Sequence, residues 1–156
     1  MNEFNGLLIG EHQHPKKWTL QRGLKFTTTE LEADEIMILA SFGVDISPSG
    51  KISVRSGFQT ELESMPSAVW TVLKPRDICR AAIIHESLYR SLRAYCDSER
   101  YDKETWKKAR SISDKVFLSA LEAAEPPLAT WKKKTIYKMV RTAGANLAKP
   151  SKKSGK

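Results

Sequence analysis

Three side chains that can take part in acid–base chemistry lie together in one apolar segment of the chain. His85 and Tyr89 are four residues apart, so they share a face if the segment is a helix, and Glu86 directly follows His85. Glu86 also precedes Arg90 by four residues, the favourable order for an ion pair along a helix. A histidine whose tautomer is fixed by a second group can act as a general base. The sequence therefore raises the question of whether His85 performs chemistry or only occupies a place in the core.

The segment that carries His85 is predicted to be a helix over residues 77–95. Asp77 follows Pro75 and has a side chain typical of a helix N-cap. Apolar residues recur close to the 3.6-residue helical period, at Ile78, Ala81, Ala82, Ile84 and Leu88. This pattern predicts a buried face, and His85 lies in the middle of the segment that forms it.

A second helix, predicted over residues 103–124, supplies a candidate partner for His85. It places Asp114 on the same face as Phe117, and a carboxylate on an apolar face is costly unless it is paired. The short connector between the two helices predicts that they are antiparallel neighbours, so Asp114 is a candidate to orient His85. The alternative is an ion pair at the surface between Asp114 and Arg110, four residues earlier.

A loop over residues 57–66 separates the predicted strands from the helices and is rich in oxygen ligands. Carboxylates such as Glu61 in this loop and Glu86 in the helix are ligands that a hard cation prefers. With His85 as a base and Asp114 as its orienting partner, these residues form a candidate hydrolytic site. The alternative reading of the same spacing is a core histidine that is hydrogen-bonded for structural reasons.

The remaining pattern predicts strands first and helices afterwards. We expect a strand over residues 17–28 with a bend at Gly23, a buried strand over 36–40, and a hairpin of 44–46 with 51–54 around a turn at 47–50. Helices are predicted at 66–73, 77–95, 103–124 and 128–147. The fold class is therefore α+β, with a small N-terminal antiparallel β-sheet followed by a C-terminal half that resembles a bundle of three to four helices.

We expect three regions along the chain. Residues 1–15 are predicted to be a flexible N-terminus, residues 16–147 a single globular domain, and residues 148–156 a disordered basic tail. No apolar run approaches the ~20 residues of a membrane span, and the first residues do not resemble a signal peptide. Cys79 and Cys96 are too far apart along one helix to form a disulfide, which fits a cytosolic setting.

The basic residues are concentrated in the C-terminal third. Residues 1–100 carry a net charge of −1, whereas residues 101–156 carry +9. Such a segment can contact an acidic protein or nucleic acid, and the candidate surface for nucleic acid consists of Lys132, Lys133, Lys134 and the tail. A run of lysines is also typical of the solvated face of a helix.

Four motifs in order carry a family resemblance. The pattern G-F-x-T-D-x-A-S-x-P is matched by residues 57–66, R-A-A-x-x-H-D-x-L-Y-R by 80–90, A-D-x-x-F by 113–117, and Y-x-x-V-R-x-x-G by 137–144. About two thirds of the chain thus resembles the domain of unknown function 1353 family, which is common in phages and prophages. Both aspartates of the first two patterns are glutamates here, Glu61 and Glu86.

The resemblance implies a fold and a phage context more than a reaction. It implies a phage- or prophage-encoded protein that resides in the host cytoplasm or the virion. The motif positions also suggest Thr60, Ser64, Arg90 and Arg141 as binding residues.

A more distant similarity is to phospholipases A2, in the order of a loop, an H-D-x-x-Y helix and a later aspartate. It implies His85 as the base, Glu86 as a calcium ligand, and Tyr89 and Asp114 as supports. The chain lacks the glycine-rich calcium loop, since residues 60–66 contain no glycine. No cofactor follows from the residues themselves, and calcium is the one that this similarity implies.

Three functions are consistent with these observations. The first is a non-catalytic phage accessory protein with a buried His/acid network, which could be associated with the virion. Its basic region would contact an acidic protein or another phage or host component. The second is a hydrolase in which His85 activates water against an envelope ester or amide. The third is nucleic-acid binding through the C-terminal third. An open pocket at His85 would favour the hydrolase, and enclosure of His85 by Trp70 or Phe117 would favour the structural role.

Overall fold

The computed structural model describes residues 2–5, 10–13, 17–72, 75–124 and 127–150. The described residues form strands and helices in the order β1 Glu3–Phe4, β2 Gly10–Gln13, β3 Lys17–Leu20, β4 Leu24–Thr27, α1 Ala33–Ser41, β5 Lys51–Val54, β6 Gln59–Thr60, α2 Val69–Val72, α3 Pro75–Cys96, α4 Lys103–Glu122 and α5 Thr130–Leu147. Small antiparallel sheets are followed by long helices, which confirms the predicted α+β class.

The strands form two small antiparallel sheets, ordered β1-β4-β5 and β2-β3-β6. In the first sheet, Phe26 of β4 lies opposite Phe4 on one side and Ile52 on the other. Leu24 and Phe26 are buried while Lys25 between them is exposed, the alternation expected of a strand with one face on the core. In the second sheet, β3 pairs with β6 and thereby fixes the start of the loop that contains Ser64.

The predicted strand over residues 36–40 is wrong, because this segment belongs to helix α1. A short apolar run does not distinguish a strand from a helix by periodicity alone. The start of α1 has helix signals: Asp34 and Glu35 lie in its first turn, and the backbone N–H of Glu32 donates to Glu35 Oε1 at 2.9 Å. The run is also only partly buried, with Leu39 inside and Met37 72 % exposed.

The single strand predicted over residues 17–28 is also wrong, because it divides near Gly23 into β3 and β4, which lie in different sheets. The turn predicted at 47–50 is confirmed: the N–H of Gly50 donates to the carbonyl of Ser47 at 2.9 Å. Gly50 has φ +86°, and a Cβ there would collide with the carbonyl oxygen of Thr28. Of the strand predicted before this turn, only the bridge between Ile46 and Ile52 is formed.

The three long helices agree with the sequence prediction to within a few residues. Helix α3 begins at Pro75, which is tolerated in a first turn, so Asp77 lies inside the helix instead of capping it. Asp102 caps α4 by accepting the N–H of Thr105 at 2.9 Å. Helices α3 and α4 are antiparallel, as predicted: His85 contacts Asp114, and Tyr89, further along α3, contacts Arg110, which is earlier on α4.

The main core lies between the sheets and the three long helices. Its fully buried members include Phe26, Ile52, Ile84, Phe117 and Val140, which come from β4, β5, α3, α4 and α5. In the described part of the chain, no helix combines the length and the apolar character required to cross a membrane. The predicted domain limits stay predictions: β1 and β2 fall within residues 1–15, and residues 151–156 of the tail lie outside the described residues.

Candidate functional site

His85 lies at the centre of a hydrogen-bonded series that joins a loop to two helices. Its Nε2 is 2.8 Å from Asp114 Oδ1 on α4, and its Nδ1 is 2.9 Å from Ser64 Oγ in the loop after β6. An ionised carboxylate only accepts hydrogen bonds, so Nε2 carries the proton in the neutral ring and Nδ1 accepts from the Ser64 hydroxyl. The structure thus brings together His85 and Asp114 as the sequence predicted, and adds Ser64 to the pair.

The carboxylate of Asp114 is held by several donors at once. The Tyr89 hydroxyl donates to Oδ1 at 2.7 Å and Arg141 Nη1 donates to Oδ2 at 2.6 Å, while Arg110 Nη2 lies 3.8 Å from Oδ2. Burial alone would raise the pKa of Asp114, but hydrogen bonds from His85, Tyr89 and Arg141 outweigh it and hold the pKa below its ordinary value. Asp114 is therefore an anion that orients His85. It is also paired with Arg110, in the interior and not at the surface.

Tyr89 and Arg110 extend the network to helix α5. Arg110 Nε donates to the Tyr89 hydroxyl at 3.2 Å, and Arg110 Nη2 donates to the carbonyls of Val140 and Arg141 at 3.1 and 2.7 Å. Burial raises the pKa of Tyr89 far above its ordinary value, and the charge of Asp114 raises it further. Tyr89 is thus a neutral donor, and the network links α3, α4 and α5.

Glu86 forms a second buried centre beside the first. Its Oε2 accepts the backbone N–H of Ser64 at 2.7 Å and its Oε1 accepts Arg93 Nη1 at 2.7 Å. Arg93 Nε also donates to the carbonyl of Leu147 at the end of α5. The predicted pair of Glu86 with Arg90 is wrong: Arg90 lies over the Phe58 ring and donates to a backbone carbonyl at Gln59.

Thr60 shapes the loop that presents Ser64. Its hydroxyl oxygen accepts the N–H of Leu62 at 2.8 Å, and its hydroxyl donates to Glu63 Oε2 at 3.1 Å. Leu62 has φ +61°, an uncommon conformation for a non-glycine residue. This turn directs the Ser64 backbone to Glu86 and the Ser64 side chain to His85.

The residues present do not fit a calcium ion. Both oxygens of Glu86 already accept hydrogen bonds, and the guanidinium of Arg93 supplies the positive charge that balances this carboxylate. Glu61 is exposed at the surface of the loop. Among the residues that the structure describes, no three His, Cys, Asp or Glu side chains are grouped so that they could hold a metal.

The four central residues of the network are closed to solvent. The side chains of Ser64, His85, Glu86 and Asp114 are all 0 % exposed, and the ring of Phe117 packs on His85 with centroids 4.7 Å apart. In the described part of the chain, the only buried side-chain polar atom without a hydrogen bond is Thr19 Oγ1, outside the network. Two surface concavities, of about 250 and 390 Å³, are lined by none of the four network residues.

Gly144 of α5 packs directly against this network, and replacing it tests how tightly the network is packed. A Cβ at this position would lie 2.8 Å from the Tyr89 hydroxyl and 3.1 Å from Arg110 Nη2. We expect Gly144→Ala to lower the free energy of unfolding by about 1–3 kcal/mol, measured by urea denaturation. At an unconstrained helical site the same change would stabilise the protein by up to about 1 kcal/mol, so a stabilised variant would contradict the packing described.

One residue of the network, Arg93, and one that packs against it, Gly144, were missed in the sequence. Arg93 follows Glu86 by seven residues, which is two helical turns, so it lies on the same face and could have been found by extending the search beyond four residues. Gly144 is the last position of a matched motif, but its contact with Tyr89 depends on how α5 approaches α3. The spacing of residues in the sequence did not indicate that Ser64 is buried or that it is hydrogen-bonded to His85.

Comparison with known proteins gives one result. The protein family described as "Protein of unknown function (DUF1353)" matches residues 36–140, and these residues include His85, Glu86 and Asp114. No curated protein and no solved structure matches the chain.

Proposed function

Since the chain belongs to this family of uncharacterised proteins, we propose that it is a non-catalytic accessory protein in which the His85 network serves the fold. The observation that carries the proposal is the enclosure of Ser64, His85 and Asp114, each of which is 0 % exposed. A general base must come within hydrogen-bond reach of the proton that it removes from substrate or water. His85 already has both ring nitrogens bonded to protein atoms and presents no free edge.

The structural role has a clear physical basis. Buried polar groups whose hydrogen bonds are all made stiffen a fold and select one packing arrangement, whereas a missing partner is costly. Here the network ties the loop at Ser64 to α3, and α3 to α4 and α5. The role we assign to His85 is therefore to fix the loop and the helices relative to each other.

The biological setting is part of the same proposal. The phage or prophage origin, with residence in the host cytoplasm or the virion, rests on the motif resemblance. An accessory protein without catalysis acts by binding, and the net charge of +9 on residues 101–156 supports an acidic protein or another phage or host component as the partner.

A hydrolase is the second candidate, and one observation favours it. Ser64, His85 and Asp114 are hydrogen-bonded in the order of a nucleophile, a base and an orienting acid, and Leu62 near Ser64 has a strained backbone. In this alternative the Ser64 oxygen attacks an ester or amide of the host envelope while His85 Nδ1 takes its proton. The loop of residues 61–66 would first have to move away from α3.

An activity screen distinguishes the two functions. Wild type, Ser64→Ala, His85→Asn and the matched control Ser67→Ala are assayed against ester, lipid and peptidoglycan substrates and treated with a fluorophosphonate. We expect no turnover above the buffer blank and no labelled serine, because Ser64 and His85 are enclosed, whereas Ser67 is exposed and is hydrogen-bonded to no histidine in the described part of the chain. The non-catalytic proposal would be overturned if wild type and Ser67→Ala showed turnover and both Ser64→Ala and His85→Asn lost it.

A further inference from the structure

The outer face of helix α5 is basic and carries an exposed aromatic ring. Trp131 is 61 % exposed and lies on the same face as the exposed Lys134, Lys138 and Thr142, at helical spacings of three and four residues. The helix contains five basic residues and no acidic residue. Within the part of the chain that the structure describes, none of its four lysines forms an ion pair, so their charges are available to a partner.

An apolar groove of about 390 Å³ lies beside this basic face. One wall is the segment of Pro66 and Ala68, and the other is α5 with Met139 and Ala143; Lys138 is the charged residue among those that line it. We propose that the groove binds an amphipathic helix of a partner protein whose apolar face enters the groove and whose flank towards α5 is acidic. This inference deepens the proposed accessory function, on which it rests, by naming the surface and the chemistry of the partner.

The shape of the groove favours a helix as the occupant. Along α5 it extends from Thr135 to Ala143, about 12 Å, and Trp131 lengthens the contact to about 18 Å, or three to four helical turns. The small side chains of Ala68 and Ala143 allow the backbone of another helix to approach closely. A bilayer surface or the phosphates of a nucleic acid would leave this concave apolar surface unfilled, whereas the side chains of a helix fit into it.

The charge of α5 favours an acidic flank on that helix, on the side that faces α5. Lys132 and Lys133 lie in the first turn and Lys134 directly follows it, near the helix N-terminus where the dipole disfavours cations, so helix stability does not account for them. A partner that presents carboxylates to Lys134 and Lys138 would be attracted to the groove, and a basic partner would be repelled. Trp131, already at the surface beside these lysines, is the kind of aromatic side chain that anchors such interfaces.

Selection from a random peptide library tests the proposal without knowledge of the natural partner. The displayed peptides are about 18 residues long, roughly 27 Å as a helix, and are selected on the immobilised full-length protein. We expect the enriched peptides to share apolar residues at helical spacing, with Asp or Glu beside them on the flank that meets the lysines of α5. An enriched peptide, synthesised with a fluorescent label, should bind the wild type in an anisotropy titration.

Two variants separate the roles of shape and charge. Ala143→Arg fills the groove and adds a positive charge to it, and the double variant Lys134→Glu/Lys138→Glu reverses the charge but leaves the apolar lining residues unchanged. Each should weaken peptide binding at least about tenfold, whereas the matched control Lys107→Glu, at an exposed position of α4, should not change it. All four substituted positions are exposed, and urea unfolding verifies that the variants fold.

Several results would overturn the proposal. These are failure of any peptide to be enriched, enriched peptides without acidic residues, and binding that Ala143→Arg leaves unchanged. A short DNA duplex, or vesicles of phosphatidylglycerol and phosphatidylcholine, could also bind more tightly than the peptide. If the double variant abolished that binding, the surface would serve a polyanion of another class and the proposal would fail. The activity screen tests the buried network and the peptide selection tests the groove. A failure of the proposed function is therefore distinguishable from a failure of this inference.

Discussion

Replacing Asp114 by alanine is expected to lower the free energy of unfolding by about 3–5 kcal/mol. The change removes a fully buried carboxylate that accepts from His85, Tyr89 and Arg141. It leaves Arg110, which is only 8 % exposed, without its compensating charge. Urea denaturation at neutral pH, followed by circular dichroism, measures the effect.

Glu104→Ala is the matched control for this prediction. Glu104 lies on the same helix, but its side chain is 81 % exposed, and among the described residues it forms an ion pair with Lys107 alone. Its replacement should change the free energy of unfolding by no more than about 0.5 kcal/mol. A loss of less than about 1 kcal/mol in Asp114→Ala would mean that the network does not hold the helices together.

The same residue gives the network a defined dependence on pH. The pKa of Asp114 is lower in the folded protein than its ordinary value because the hydrogen bonds to its carboxylate outweigh its burial. The unfolded chain therefore binds more protons in the window below about pH 4, so the contribution of Asp114 is complete above that window and is lost as the pH falls through it. The stability difference between wild type and Asp114→Asn should accordingly shrink on acidification, and a difference that grows would contradict the assignment.

Removing the charge of Arg93 is the second large effect we expect. Arg93→Met keeps most of the apolar stem but leaves the fully buried carboxylate of Glu86 without its cation, at a cost of about 3 kcal/mol or more. Adding Glu86→Gln should restore part of the loss, because a neutral amide tolerates the interior better than an unpaired carboxylate. Urea denaturation of the four proteins in this double-mutant cycle measures the coupling.

Arg90→Met is the control on the same helix. The guanidinium of Arg90 lies over the Phe58 ring near the surface and has no ion pair in the described part of the chain. We expect its replacement to cost about 1 kcal/mol at most. The buried pair would be contradicted if Arg90→Met and Arg93→Met lowered the free energy of unfolding equally. It would also be contradicted if the effects of Glu86→Gln and Arg93→Met were additive within about 0.5 kcal/mol.

The parts of the site that the sequence predicted correctly depend on regular helix geometry. The spacing of His85 and Tyr89 placed them on one face, and the short connector between two strongly periodic helices made Asp114 a neighbour of that face. Both inferences use only the helical period and chain connectivity. The α+β class followed from the same periodicity.

The parts that sequence reasoning missed depend on tertiary packing. The segment at Ile36–Ala40 is too short for its period to be read, and the cap that makes it a helix involves Glu32 and Glu35 outside the apolar run. Glu86 had two basic candidates on its helix, and only the approach of the end of α5 selects Arg93 over Arg90. The enclosure of Ser64 depends on a backbone turn at Leu62 that has no glycine to mark it.

The most direct test of the enclosed network is the hydrogen–deuterium exchange of the His85 ring at carbon C2, followed by mass spectrometry of the peptide that contains it. This exchange requires solvent at the ring and is compared between the folded protein and the urea-unfolded protein. We predict exchange at least about 100-fold slower in the folded state, because His85 is 0 % exposed and both ring nitrogens are bonded to protein atoms. Exchange within about threefold of the unfolded rate would contradict the enclosed network and would favour an open, reactive His85.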